Sequence, residues 1–437
     1  GGEAGDALTT AGNTVAVGYN ALTAATTGTF NVALGSEALA ANTTASFNTA
    51  VGGAALTANT TGSANNAMGT SALASNTTGS NNVAIGNSAL EANTTASGNT
   101  AVGDQALNDN TTGQSNTAVG YRALDAATTA GDNTAIGTGA MGATTTGEAN
   151  TAVGSAVLDA NTTGTGNSAL GVSALGANTT GAQNVAVGQN ALAANTTADN
   201  NTAIGWQAVD ANTTGSENTA VGMNALGSNT TGAANTAMGV SALSSNTTAS
   251  NNTGLGRSAL GNNTTGGNNT AVGFQVLTAN TTASQNTGMG HNTLSANTTG
   301  AGNLGVGYQV LASNTTANYN TGVGYDALNK NTTGTENVSV GAFALDANTT
   351  GSNNTAVGKS SLSAITTSGS NTAIGHSAGQ NLTTGDGTTF LGASAGESMT
   401  TGAANSIGGF QAGQYLTTGD NNTAFGKQAL QSVSTGS

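Results

Sequence analysis

The chain has 437 residues with 67 Gly, no Pro, no Cys, one Trp and only 5% charged residues, far below the roughly 25% charged of an ordinary soluble domain. That balance argues against a globular enzyme, and the absence of cysteine excludes a disulfide scaffold and a Cys-based metal site. A net charge of −14 from scattered acids, with no basic patch, argues against a nucleic-acid partner, and no apolar run approaches the ~20 residues needed to cross a bilayer. Composition alone would suggest disorder; the strict repetition described next overturns that reading.

Residues 1–13 hold a partial repeat, Ala7-Leu8-Thr9-Thr10, and lack the basic and apolar regions of a signal peptide. From Thr14 to Asn422, steps of 17 give 25 registers without insertion or deletion, with consensus Asn-Thr-Ala-Val-Gly-x-x-Ala-Leu-x-x-Asn-Thr-Thr-Gly-x-x. We number the positions of this unit as slots 1 to 17. A period of this size marks a repeat architecture. Residues 14–370 form the regular array, and residues 371–437 form a variant one.

Slot 5 is Gly in every register, from Gly18 through Gly205 to Gly426, which predicts a corner where a Cβ is forbidden. Slot 4 is apolar in 24 registers and slot 9 is Leu, Met or Val in 22, so both are expected to face a core. All 22 charged residues beyond position 13 fall in slots 6, 7, 10, 11, 16 or 17, which are therefore expected to face water. Two apolar slots on this period do not make an amphipathic helix. The expectation is an all-β parallel solenoid, a β-roll of 25 turns, with one strand over slots 1–5, a second over roughly slots 7–12, and turns stacked by parallel pairing.

Slot 12 is Asn in 17 registers, among them Asn42, Asn161 and Asn348, and stacked amides can hydrogen-bond as a ladder. In the variant array slot 12 becomes Leu382, Met399 and Leu416, while slot 9 becomes Gly379, Gly396 and Gly413. Such an exchange of volume implies that both slots fill one interior. Each Asn-Thr-Thr also matches a glycosylation sequon, but an amide that trades places with Leu and Ile reads as interior. The small-residue face, Ala in slots 3 and 8, is expected to pack against other copies in a homotrimer.

Aromatic residues collect in slot 6: Tyr19, Tyr121, Trp206, Phe274, Tyr308 and Tyr325, with Phe410 beyond them. They read either as contacts for a sugar or a neighbouring fibre, or as a corner that tolerates any side chain. His291 and His376 share slot 6 five registers apart, about 24 Å along a strand-spaced coil, too far to share a metal. The acids visit six slots, so no calcium array of the kind that repeats a carboxylate every turn is expected. No catalytic residue, metal site or cofactor is expected.

The register Asn48-Thr49-Ala50-Val51-Gly52, and its repeats at Asn99 and Asn354, resembles the head repeats of YadA-like trimeric autotransporter adhesins, whose unit is shorter. With Ala-Leu and Asn-Thr-Thr-Gly following, it also resembles repeat arrays of phage and bacterial tail-fibre-like proteins. The resemblance covers nearly the whole chain. It implies a trimeric parallel β-roll, an extracellular, cell-surface or virion location, and surface attachment through a receptor or glycan that the residues do not name. Two other readings are open: an ice-binding solenoid with Thr ladders in slots 13 and 14, where adjacency leaves only one outward rank, and a filament joined end to end through unpaired terminal turns.

Overall fold

A computed structural model describes residues 2–435, so positions 1, 436 and 437, at the extremes of the first and last segments, lie outside the description. The described residues contain no helix and 25 short strands repeating every 17 residues. Two compact units are present, residues 1–218 and 219–437. The first holds β1 (Val15–Val17) to β12 (Thr202–Ile204), and the second holds β13 (Thr219–Val221) to β25 (Thr423–Phe425). Within each unit, every strand pairs in parallel with the equivalent strand one repeat later, as in Val15 with Val32 and Thr236 with Thr253. This is the expected parallel β-solenoid.

The strand is shorter than slots 1–5, covering slots 2 to 4 in most repeats. The second strand expected over slots 7–12 is absent. That stretch is a run of turns, because slots 7 and 9 take positive φ, as at Gln207 (52°) and Val209 (54°), and alternating left-handed residues cannot extend. Turns here still bond to the next coil: Leu22 N–H donates to Ala38 O at 3.0 Å, and Ala24 N–H to Ala40 O at 3.1 Å. A left-handed Leu costs about 1–2 kcal/mol, so slot 9 stores strain in almost every repeat.

Two further expectations are reversed. Slot 4 is outside: Val17, Leu34, Met68, Ile85 and Ile204 are all exposed, and Val17 is 51% exposed. Alanines in slots 3 and 8, expected on the outer face, are inside, with Ala33, Ala38, Ala50 and Ala55 fully buried. The reason is strand alternation. Once slot 3 points inward, slots 2 and 4 must point outward, and where slot 9 carries Leu the room left at slot 3 is filled by a small group such as the Ala methyl. The core is therefore Ala in slots 3 and 8 with Leu in slot 9, all at 0% exposure in the regular repeats such as Ala84, Ala89 and Leu90.

Two amide ladders complete the interior. In slot 12, Asn59 Nδ2 donates to Asn42 Oδ1 at 3.1 Å and to Gly62 O at 2.9 Å. In slot 1, Asn48 N–H donates to Asn31 Oδ1 at 3.0 Å while its Nδ2 donates to Gly62 O at 2.9 Å. The slot 1 ladder has its own signal in the sequence, an Asn at nearly every register. Both ranks are buried, and buried amides must be partnered.

The slot 12 ladder breaks where its sequence breaks. Asn110 Oδ1 and Asn348 Oδ1 are buried without a partner, and the next residues in their rank are Ala127 and Ile365. Ala127→Asn should supply Nδ2 to Asn110 Oδ1, and the Thr144 hydroxyl, which already accepts from Asn161 Nδ2 at 3.4 Å, can donate to the new Oδ1. Chemical denaturation should show a gain of about 1 kcal/mol. No gain would mean that the orphaned carbonyl carries no penalty.

Coupled exchange in the variant repeats is confirmed and is wider than two slots. Leu382, Met399 and Leu416 are fully buried, and so are Phe390 and Ile407 in slot 3. A Cβ added to Gly379 would meet Phe390 Cδ2 at 2.6 Å, and one added to Gly396 would overlap the same ring. One phenyl group thus fills the space of two missing leucines. A third exchange occurs where slot 3 is Gly288, Gly305 or Gly322: a Cβ there would stand 2.5 Å from Val276, Thr293 or Val310 in slot 8 of the preceding turn.

Candidate functional site

The slot 6 side chains project from the corner that follows the slot 5 glycine, where φ lies between 123° and 144°. Tyr19, Tyr121, Trp206, Phe274, Tyr308 and Tyr325 are all exposed, as is Phe410. The structure gathers only some of them. In the second unit, Phe274, His291, Tyr308 and Tyr325 occupy four successive turns and stack with ring centroids 5.2, 5.2 and 5.1 Å apart. Phe343, one slot on, meets Tyr325 edge-on at 5.3 Å. His291 is thus a rung between two aromatic rings, and it and Phe343 extend the group beyond the slot 6 aromatic residues. The signal was available, because four ring-bearing residues at consecutive steps of 17 must stack at strand spacing.

The local backbone explains why the stack forms here. In β17 (Thr287–His291), β18 (Leu304–Tyr308) and β19 (Thr321–Tyr325) the strand extends to slot 6, so slots 2, 4 and 6 all lie on its outer face. Ring faces in the stack cover one another and the edges are left to solvent. A sugar ring, which lies flat on an aromatic face, finds such faces instead at isolated residues. Tyr19 and Trp206 have no ring neighbour among the described residues, while the Arg122 guanidinium lies 5.8 Å from the centre of the Tyr121 ring. A second stacked pair, Phe30 with Phe47 at 5.3 Å, sits in slot 17.

Gly18, Gly205 and Gly426 hold the corner with positive φ, and Asn42, Asn161 and Asn348 lie fully buried in the slot 12 rank. These are structural positions. The burial also settles which way the Asn-Thr-Thr carboxamides face. Of the threonines that follow, slot 13 hydroxyls bond to the next turn, as in Thr60 Oγ1 to Thr77 O at 3.0 Å, and slot 14 threonines such as Thr44 are exposed.

Charged groups make little of a site. Among the described residues one ion pair is present, Arg122 with Asp125 at 3.7 Å, and no group of three or more His, Asp or Glu is placed to hold a metal ion. The pair edges an open notch of about 350 Å³ that also includes Gly139, Gly142 and Asp159. No helix among the described residues is long and apolar enough to cross a membrane.

Asp125, Asp210 and Asp346 share slot 10, and burial raises the pKa of each above the usual carboxylate value. Arg122 opposes the shift at Asp125, and Lys330 opposes it at Asp346. A raised carboxylate pKa means that the folded form binds protons more readily than the unfolded one. Stability from these groups is fully present below the unfolded value of 3.8 and is lost as pH rises through the folded values. The melting temperature should therefore hold or rise on mild acidification from neutral pH, and Asp210→Asn should flatten part of that trend. A steep loss of stability on going from pH 7 to about 5 would contradict this.

Fold and residues together define a parallel β-solenoid repeat protein with an exposed aromatic corner. No family model matches the chain, and no curated protein matches it in sequence.

Proposed function

We propose that the chain is a non-enzymatic structural fibre, an adhesin head or tail-fibre shaft that works outside the cell or on a virion and mediates surface attachment. The observation that carries this reading is the outward rank of slot 4. Leu34, Met68, Ile85 and Ile136 in the first unit, and Met238, Met289, Val340 and Ile374 in the second, are exposed large apolar side chains, and the slot 4 valines between them, such as Val51 and Val323, are half-buried. No charged residue beyond position 13 falls in slots 2 or 4. A recurrent apolar rank of this kind marks an interaction face, and a repeating face is most readily covered by the same face of further copies. We read the assembly as a homotrimer, on the resemblance to trimeric adhesin repeats. The exposed rings of Tyr19 and Trp206 are then the contacts offered to a receptor or glycan.

Immobilised chain should retain glycan-bearing cells or particles, and Trp206→Ala should weaken that retention. Retention that is the same for the variant removes Trp206 from the contact, and no retention on any surface contradicts the attachment role. The ice-binding reading leans on the single exposed Thr rank of slot 14, and a clear thermal hysteresis in dilute solution would displace the fibre reading.

A further inference from the structure

The repeats contain a second set of Asn-x-Thr triplets that is distinct from the buried rank in slot 12. Asn200, Asn251, Asn268, Asn353 and Asn421 occupy slot 17, each followed by Asn in slot 1 and Thr in slot 2. All five are exposed and lie in a left-handed corner with φ between 58° and 61°. The middle residue points inward, with Asn201, Asn252, Asn269 and Asn354 fully buried. The first residue is exposed at the corner, and the third, Thr202, Thr253, Thr270 or Thr355, is half-buried on the side of the strand opposite the buried slot 3 residue.

Each slot 17 residue binds its neighbour through the backbone, as in Asn353 N–H to Thr335 O at 3.1 Å, and its carboxamide makes no hydrogen bond to another described residue. Nor do the hydroxyls of Thr202, Thr253, Thr270 and Thr355. In slot 12 the geometry is the reverse. Asn195 is buried and its Nδ2 donates to Asn178 Oδ1 at 2.9 Å and to Ala198 O at 3.1 Å. Two more exposed triplets begin at Asn262 and Asn381 in slot 11, but their third residues, Thr264 and Thr383, donate their hydroxyls to Thr281 O at 2.9 Å and Thr400 O at 2.8 Å.

We propose that Asn200, Asn251, Asn268, Asn353 and Asn421 are sites of N-linked glycosylation on the folded chain, and that the far more numerous slot 12 sequons are silent. Recognition of a sequon needs the carboxamide and the hydroxyl two residues on at the same time, and only slot 17 presents both unengaged. The reaction joins Nδ2 to the anomeric carbon of an activated sugar. The phosphate-linked leaving group departs with the electrons of its C–O bond, and the amide gives up one proton to an enzymic base. No oxidation or reduction is involved. Glycans at slot 17 would stand on the corner that precedes the strand, with Asn251 and Asn268 on successive turns.

The test is to incubate the folded full-length chain with a soluble asparagine-directed glucosyltransferase and a nucleoside diphosphate glucose, and to map hexose additions by mass spectrometry. Chain unfolded in denaturant and then diluted into the same reaction serves for comparison. Slot 17 asparagines should be modified about tenfold or more faster than any slot 12 asparagine in the folded chain, because slot 12 is reached only through local opening. The preference should vanish in the unfolded chain, and Thr355→Ala should remove the addition at Asn353 alone. Modification of slot 12 at comparable rates in the folded chain, or none at slot 17, would overturn the proposal.

Discussion

Phe390→Ala should be among the most damaging single substitutions in the chain, costing about 3–5 kcal/mol by the usual large-to-small cost. The ring is fully buried and occupies the space that Gly379 and Gly396 leave open on either side. The adjacent slot 8 side chains, Ala378 and Ala395, are too small to fill that space. Gly396→Leu alone should also destabilise, since its Cβ overlaps the ring. Combining the two restores the regular arrangement of Ala in slot 3 and Leu in slot 9. The double variant should recover part of the loss, with a coupling of about 0.5–3 kcal/mol. Recovery stays incomplete, because Leu at the φ of 58° found at Gly396 carries strain and the Gly379 side remains unfilled. Additive losses in chemical denaturation would show that the ring does not stand in for the slot 9 side chains.

Gly188→Val should be equally severe for a different reason. Gly188 has φ of 129°, and a Cβ there would stand 2.5 Å from the carbonyl oxygen of Gly205, the corner glycine of the next coil. A β-branched residue at positive φ is strained by itself. Relief would require the corner to move and would break the bond from Gly205 N–H to Val187 O at 2.8 Å. We expect a loss of several kcal/mol in the unit of residues 1–218, read as early loss of amide protection around residues 171–205. Gly2→Val, where a Cβ meets nothing, should be silent. Equal melting of Gly188→Val and the native chain would show that the corner tolerates side chains.

The sequence made the period, the corner glycines and the slot 12 amides legible because the first two repeat without exception and the third recurs in most registers and is exchanged in concert with slot 9 in the variant repeats, as Leu382 is with Gly379. It concealed which face of the strand is inside. Val51 and Ala50 are neighbours on one strand, and hydrophobicity favours burying the larger one. The observed coil buries the methyl and leaves the valine outside, because neighbouring turns leave room at slot 3 only for small groups unless slot 9 is emptied, as it is beside Phe390. Left-handed leucines were equally hidden, since no local preference of Leu points to positive φ; the tertiary demand of closing a 17-residue coil overrides it. For the candidate site, the aromatic corner was visible residue by residue. Which rings stack and which stand alone followed from register spacing and was not read out, as His291 shows.

The claim on which the functional account rests is that the outward slot 4 rank joins copies of this chain. Sedimentation equilibrium of the full-length protein measures this directly, with the native chain compared against one carrying Val119→Asp and Val323→Asp, one change on the outer face of each unit. The account predicts a native mass of three times the 41.4 kDa chain and a variant that falls toward one chain while keeping its β-sheet spectrum. A native protein that sediments as a single chain, or a variant whose mass is unchanged, would contradict it.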